Sequence, residues 1–166
     1  LRQSIGSYVI LEPTADRKHG NRRTAREFWD RLRLSLKGAL GRLPIVQLAH
    51  YQSTPLHGTI PAIHGTFREA CCYLAHASLL VTSEGGLAHA AAALGVPAVV
   101  LWGGNISCVN LGYPEHVNFV DPSPRTPCGS LVSCDHCAQA WARLDPVVVA
   151  AAAAEELARG AARSRR

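Results

Sequence analysis

Between Leu79 and Gly104 the chain reads LLVTSEGGLAHAAAALGVPAVVLWGG, and this run constrains the fold more tightly than any other part of the sequence. An apolar stretch from Leu79 to Val81 meets the turn Thr82-Ser83-Glu84-Gly85-Gly86, after which strong helix formers fill Leu87 to Leu94. Gly95-Val96-Pro97 stops that helix, and Ala98 to Trp102 is a second buried strand. Strand, glycine turn, helix and strand make a βαβ unit, which needs parallel strands. The predicted fold is therefore α/β, a parallel sheet with flanking helices. The glycine turn leaves backbone N–H groups and a helix N-terminus beyond the strand's carboxyl end, where such sheets hold phosphates and sugars.

Chemistry is spaced along the same turn. Glu84 stands at its edge and His89 five residues on, so both could face one ligand, while Gly85 and Gly86 let a ligand approach the backbone. A carboxylate there suits hydroxyl recognition. The plainer alternative makes Glu84 an acid complementing a helix N-terminus and His89 a residue packed against the sheet.

Strands and helices alternate elsewhere. Tyr8 to Leu11 is a short strand closed by Glu12-Pro13, and Arg23 to Leu40 carries Phe28, Leu32, Leu36 and Leu40 at helical spacing. Ile45 to Ala49 and Thr59 to Ile63 are extended, and Phe67 to Ala75 is a helix with Phe67, Cys71 and Leu74 on its face. Thr66 reads as an N-cap, with Glu69 completing a capping box, and Phe67 as a core anchor. A short strand is expected around Val117 to Val120, and an apolar helix from Val147 to Ala158. The length of 166 residues suits one core, divided as residues 1–144 and a C-terminal helix with basic tail, 145–166, of the same domain.

The net charge of +5 is concentrated in Arg17 to Arg26 and Arg159 to Arg166. Positive charge beside a phosphate site points to a diphosphate ligand rather than nucleic acid. No apolar stretch reaches the roughly 18 residues of a transmembrane helix, so membrane contact is at most peripheral, through the tail. The chain lacks methionine and begins Leu-Arg-Gln-Ser, which reads as part of a longer protein.

The segment EGGLAHAAAALGVPAVVLWGG, followed by GYPEH and by the cysteines near PCG, resembles glycosyltransferase family 9, which includes the heptosyltransferases of bacterial lipopolysaccharide synthesis. The resemblance runs from Tyr8 to about Leu144. It implies a GT-B architecture of two Rossmann-like domains, this chain being the C-terminal, donor-binding one. It also implies a nucleoside-diphosphate sugar as donor, ADP-heptose above all, and a glycan or protein acceptor held by a missing N-terminal domain that carries the catalytic base. A cytoplasmic location, at the inner face of the inner membrane, comes with it. The catalytic residue is therefore unknown here. Well-known heptosyltransferases have an aspartate at Glu84 and a threonine or serine at Gly85.

By the same resemblance, a lysine in the loop after the first strand meets the donor phosphates, often in an Asn-Lys pair. In PTADRKHGNRR that pair reads Asn21-Arg22, while an ungapped comparison selects Lys18, next to Thr14; both are carried, with Arg22 favoured. Cations at a helix start oppose the macrodipole unless an anion is near. Thr66 and Phe67 occupy the segment that borders the nucleotide base in the family. The expected donor-binding set is thus Thr14, Lys18, Asn21, Arg22, Thr66, Ser83, Glu84, Gly85, Gly86 and His89.

Cys128, Cys134 and Cys137 form C-x5-C-x2-C, with His136 between the last two. Three thiolates and a fourth ligand, for which Cys108 is the best-spaced candidate, would hold zinc or iron tetrahedrally; disulfides are the rival reading. Similar cysteines recur in family 9 relatives, and autotransporter-directed heptosyltransferases carry a cysteine-bound iron. Sugar transfer itself requires no cofactor, so any such ion is structural. The expected function is an enzyme moving a sugar from a nucleoside diphosphate. The alternative is a non-catalytic nucleotide-sugar-binding or metal-stapled assembly module.

Overall fold

The structure is a computed structural model that describes residues 6–13, 26–50, 54–104, 106–121, 127–130, 132 and 134–163. Six strands, β1 (Val9–Glu12), β2 (Ile45–His50), β3 (Ile60–His64), β4 (Leu79–Ser83), β5 (Ala98–Leu101) and β6 (Val117–Phe119), form one sheet. All its pairings are parallel, and its order is β3-β2-β1-β4-β5-β6. The helices are α1 (Arg26–Leu40), α2 (Phe67–Leu74), α3 (Gly86–Leu94), α4 (Cys108–Leu111), α5 (Asp135–Ala142) and α6 (Pro146–Arg163). The order reverses between β1 and β4, as in doubly wound sheets, where the crevice at the strands' carboxyl ends opens.

Strand residues are apolar on both faces because both faces are covered. Successive residues of β1 alternate sides: Val9 and Leu11 join a core with Trp29, Leu32 and Leu36 of α1 and Val149, Ala150 and Ala153 of α6. Tyr8 and Ile10 join a second core with Ala70 and Leu74 of α2 and Ala88 and Ala91 of α3. The sheet is thus sandwiched between two helix layers.

The punctuation of the glycine unit is as expected. Gly95 ends α3 in the left-handed conformation, φ 67°, its N–H turned back to the Ala91 and Ala92 carbonyls, and Pro97 leads into β5. Four elements differ from the sequence expectation. Glu12 is the buried last residue of β1 rather than a turn, paired with Thr82, whose hydroxyl donates to the Glu12 carbonyl at 3.0 Å. Helix α6 outruns Val147–Ala158 at both ends: Pro146 takes its first turn, and the Asp145 carboxylate accepts from the Val147 N–H at 2.8 Å. Helices α4 and α5 lie where the sequence alone predicts no helix.

Candidate functional site

At the carboxyl ends of β1, β3 and β4 lies a cavity of about 320 Å3, lined among others by Glu12, His64, Phe67, Ser83, Gly85 and Gly86. It sits beside the strand-order reversal. A larger cavity, about 770 Å3, opens at the opposite end, by Ser7, Ser78, Pro97 and His116, where the strands begin. Parallel sheets bind ligands at their carboxyl ends, so the smaller cavity is the candidate site.

Its floor follows from the glycine turn. Glu84 donates its N–H to the Leu101 carbonyl at 2.9 Å, which ties the turn to β5, and Gly85 then swings to φ 155° and ψ −170°, a conformation open essentially to glycine. Helix α3 starts at Gly86, and its first amides have no carbonyl a full turn ahead to bond, although the Ala88 N–H reaches back to the Gly85 carbonyl at 3.1 Å. Ser83 is 2% exposed, and its hydroxyl lacks a hydrogen-bond partner among the described residues.

Two residues of the expected donor-binding set, Glu84 of the turn and His89 of α3, do not line this cavity. Glu84 is buried at 4% exposure. His89 is exposed and does not pack against the sheet; its Nδ1 lies 3.0 Å from the Tyr113 hydroxyl, with the rings edge to face. Thr14, Lys18, Asn21 and Arg22 lie outside the described residues.

The Thr66 N-cap is built as expected. Its hydroxyl accepts from the Glu69 N–H, and the Glu69 carboxylate accepts from the Gly65 and Thr66 N–H groups at 2.8 and 2.9 Å, which holds its pKa below the usual value. Phe67 corrects the expectation of a core anchor: it is 57% exposed. Ala70 and Leu74 form the buried face of α2, and the Phe67 ring instead lies beside the bare backbone of Gly86, where a Cβ would come within 3.4 Å of it.

The cysteines gather as their spacing suggested. The Sγ atoms of Cys128, Cys134 and Cys137 lie within 4.8 Å of one another, those of Cys128 and Cys137 being 3.2 Å apart. Gly104, just beyond β5, makes the room: a Cβ there would overlap the Cys137 sulfur, and its carbonyl accepts from the Cys128 N–H at 2.7 Å. Burial, then hydrogen bonding with Cys128 and Cys134, pushes the Cys137 thiol pKa up. Three converging sulfurs fit a thiophilic cation such as zinc or iron, which would reverse that shift by favouring thiolates. Cys108 is not in the cluster; it starts α4 and packs toward the second core. His136 Nδ1 lies 4.0 Å from the Cys137 sulfur. Arg143 braces the segment by a two-pronged ion pair with buried Asp121.

Sequence reasoning missed Glu12, His64 and Gly104. An acid ending the apolar run VIL was the available signal for Glu12.

No family model matches the chain, and no curated protein matches it. Solved structures do match in fold. The iron-containing dodecameric heptosyltransferase TibC, in complex with ADP-D-β-D-heptose, has a TM-score of 0.62 at 16% identity, over 95% of this chain and 45% of that one; TibC is from enterotoxigenic E. coli. E. coli ADP-heptose lps heptosyltransferase II gives 0.63 at 17%, over 96% and 47%. E. coli heptosyltransferase WaaC with ADP gives 0.61 at 17%, over 94% and 46%. The chain therefore spans less than half the length of these proteins, and shares with that part of them its fold.

Proposed function

We propose that this chain is the donor-binding half of a family 9 glycosyltransferase, taking a nucleoside-diphosphate sugar, with ADP-heptose favoured. The observation that carries the reading is the cavity where strand order reverses, closed by the Gly85-Gly86 turn and the amino end of α3. The fold likeness to enzymes solved with ADP and ADP-heptose supports it. Transfer to a glycan or protein acceptor would be completed by a second domain that supplies the base, at the cytoplasmic face of a bacterial inner membrane.

In this reading the chain's work is positioning and charge stabilisation. The α3 amides at Gly85 and Gly86 hold the diphosphate, and Lys18 or Arg22, with Thr14 and Asn21, neutralises the charge that develops as the sugar leaves. Ser83 and Thr66 border the donor, while His89, exposed on α3, orients its sugar and Glu84, buried in the turn, holds the turn's shape. Cys128, Cys134 and Cys137 would hold a structural zinc or iron, which supplies crosslinking of the segment before α5 and no step of transfer.

Calorimetric titration with ADP, UDP and GDP at low salt tests the reading. Binding of ADP in the micromolar to millimolar range is expected, with Arg22→Ala weakening it by about 1.5–3 kcal/mol, the range for a hydrogen bond to a charged group. A larger loss at Lys18→Ala would move the phosphate contact to Lys18. No binding of any of the three at millimolar concentration would refute the donor site.

A further inference from the structure

Glu12 ends β1 at the place where strand order reverses, and it lines the cavity while being only 2% exposed. Alternation along the strand carries it to the side of Tyr8 and Ile10, toward α2 and α3. Among the described lining residues it is the one acid, with His64 a second titratable group, and Leu48, Phe67, Ala70 and Leu87 make much of the remaining wall apolar. Titratable groups held in a cleft concentrate where a site uses them.

We infer that Glu12 binds a vicinal diol of the donor, so that its part of the cavity takes an uncharged, hydroxylated part of the ligand while the diphosphate lies at the Gly85-Gly86 part of the same lining. The inference rests on the donor-binding reading. A carboxylate has about four lone-pair sites, so it can accept from two neighbouring hydroxyls beside a bond it makes within the protein. A phosphate set against Glu12 would meet a like charge where the dielectric is low, so the diphosphate belongs at the α3 amides of the same lining. At about 320 Å3 the cavity is at the small end of ligand pockets, room for one sugar or nucleoside. Phe67, 57% exposed at its edge, offers an apolar ring face to pack on. Ser83 in the same lining adds a buried hydroxyl that lacks a partner among the described residues.

The diol could be that of the nucleoside's ribose or of the transferred sugar. The experiment titrates ADP, 2′,3′-dideoxy-ADP, ADP-glucose and pyrophosphate into the full chain and into Glu12→Gln and Glu12→Ala, with thermal melts of each. If the ribose is held, Glu12→Gln binds ADP about tenfold to a hundredfold more weakly, the wild-type chain discriminates against dideoxy-ADP by a similar factor, and pyrophosphate binding is unchanged. If the transferred sugar is held, the loss is confined to ADP-glucose. Undiminished binding of every probe by both variants would overturn the role of Glu12 and leave the donor site standing, as would a parallel loss of pyrophosphate. The dideoxy comparison uses the unaltered chain, so it holds even where a variant melts early. A wild-type chain that binds neither ADP nor ADP-glucose would remove the donor reading and this inference with it.

Discussion

His116, just before β6, is 6% exposed, and both its ring nitrogens lack a hydrogen-bond partner among the described residues. Burial pushes its pKa below the ordinary imidazole value; Glu115 and Glu156 oppose that shift and His89 adds to it. The native state therefore binds a proton less readily than the unfolded chain, whose imidazole titrates near about 6.5. Stability is complete above that pH and falls as pH drops through it toward the lower native value. Urea unfolding midpoints at pH 8 and at about pH 5 should show the loss, and His116→Gln should flatten it. Gly85 carries a second residue-scale prediction. Its φ of 155° is strained for any side chain although open space surrounds it, so Gly85→Thr, which installs the residue common in heptosyltransferases, should cost about 1–3 kcal/mol in denaturant unfolding. Residues of this kind were only partly legible. The Thr66–Glu69 capping box could be read because its two side chains act locally, whereas the exposure of Phe67 depends on Gly86, distant in sequence.

At the scale of elements, the βαβ unit was legible because strand, turn and helix signals follow one another without a gap, and Gly95 caps where it should. Helix α5 was not. Its N-cap is Cys134, which makes no side-chain cap, and its cysteines drew the reading toward metal chemistry. The overlooked signal was Cys137, Ala140 and Trp141, all buried, at helical spacing. The same helix gives the cysteine cluster a rigid side, since Cys134 and Cys137 sit one turn apart at its start while Cys128 comes from the preceding segment. Metal analysis of protein purified without chelator should return about one zinc or iron per chain, and Cys134→Ser should lose it. Because a bound ion adds its binding energy to the native state, chelation should lower the melting temperature. Gly104→Ala, whose Cβ overlaps the Cys137 sulfur, should reproduce both effects without removing a ligand. Metal-free protein whose melting ignores chelator would leave these thiols as packing groups.

For the molecule as a whole, the last helix completes, beside α1, the cover over one face of the sheet. Val149, Ala150 and Ala153 of α6 are 0–2% exposed, and they close a core shared with Trp29, Leu32 and Leu36 of α1 and with Val81, Val99 and Leu101 of the central strands. Alanines at these positions let α6 approach closely; α1 is its main neighbour, and β4, β5 and β6 also touch it. Each apolar side chain of valine or leucine size returned to water costs about 1.5–3 kcal/mol, and a domain has only about 5–15 kcal/mol of net stability. Removing α6 would uncover several at once, so residues 1–144 should not fold alone. A chain ending at Leu144 is expected to lose its near-ultraviolet circular dichroism and to melt without a cooperative transition, with ADP binding lost alongside. A sigmoidal melt and a native near-ultraviolet spectrum from that shorter chain would show instead that residues 1–144 form a self-sufficient unit, with α6 an accessory laid across it.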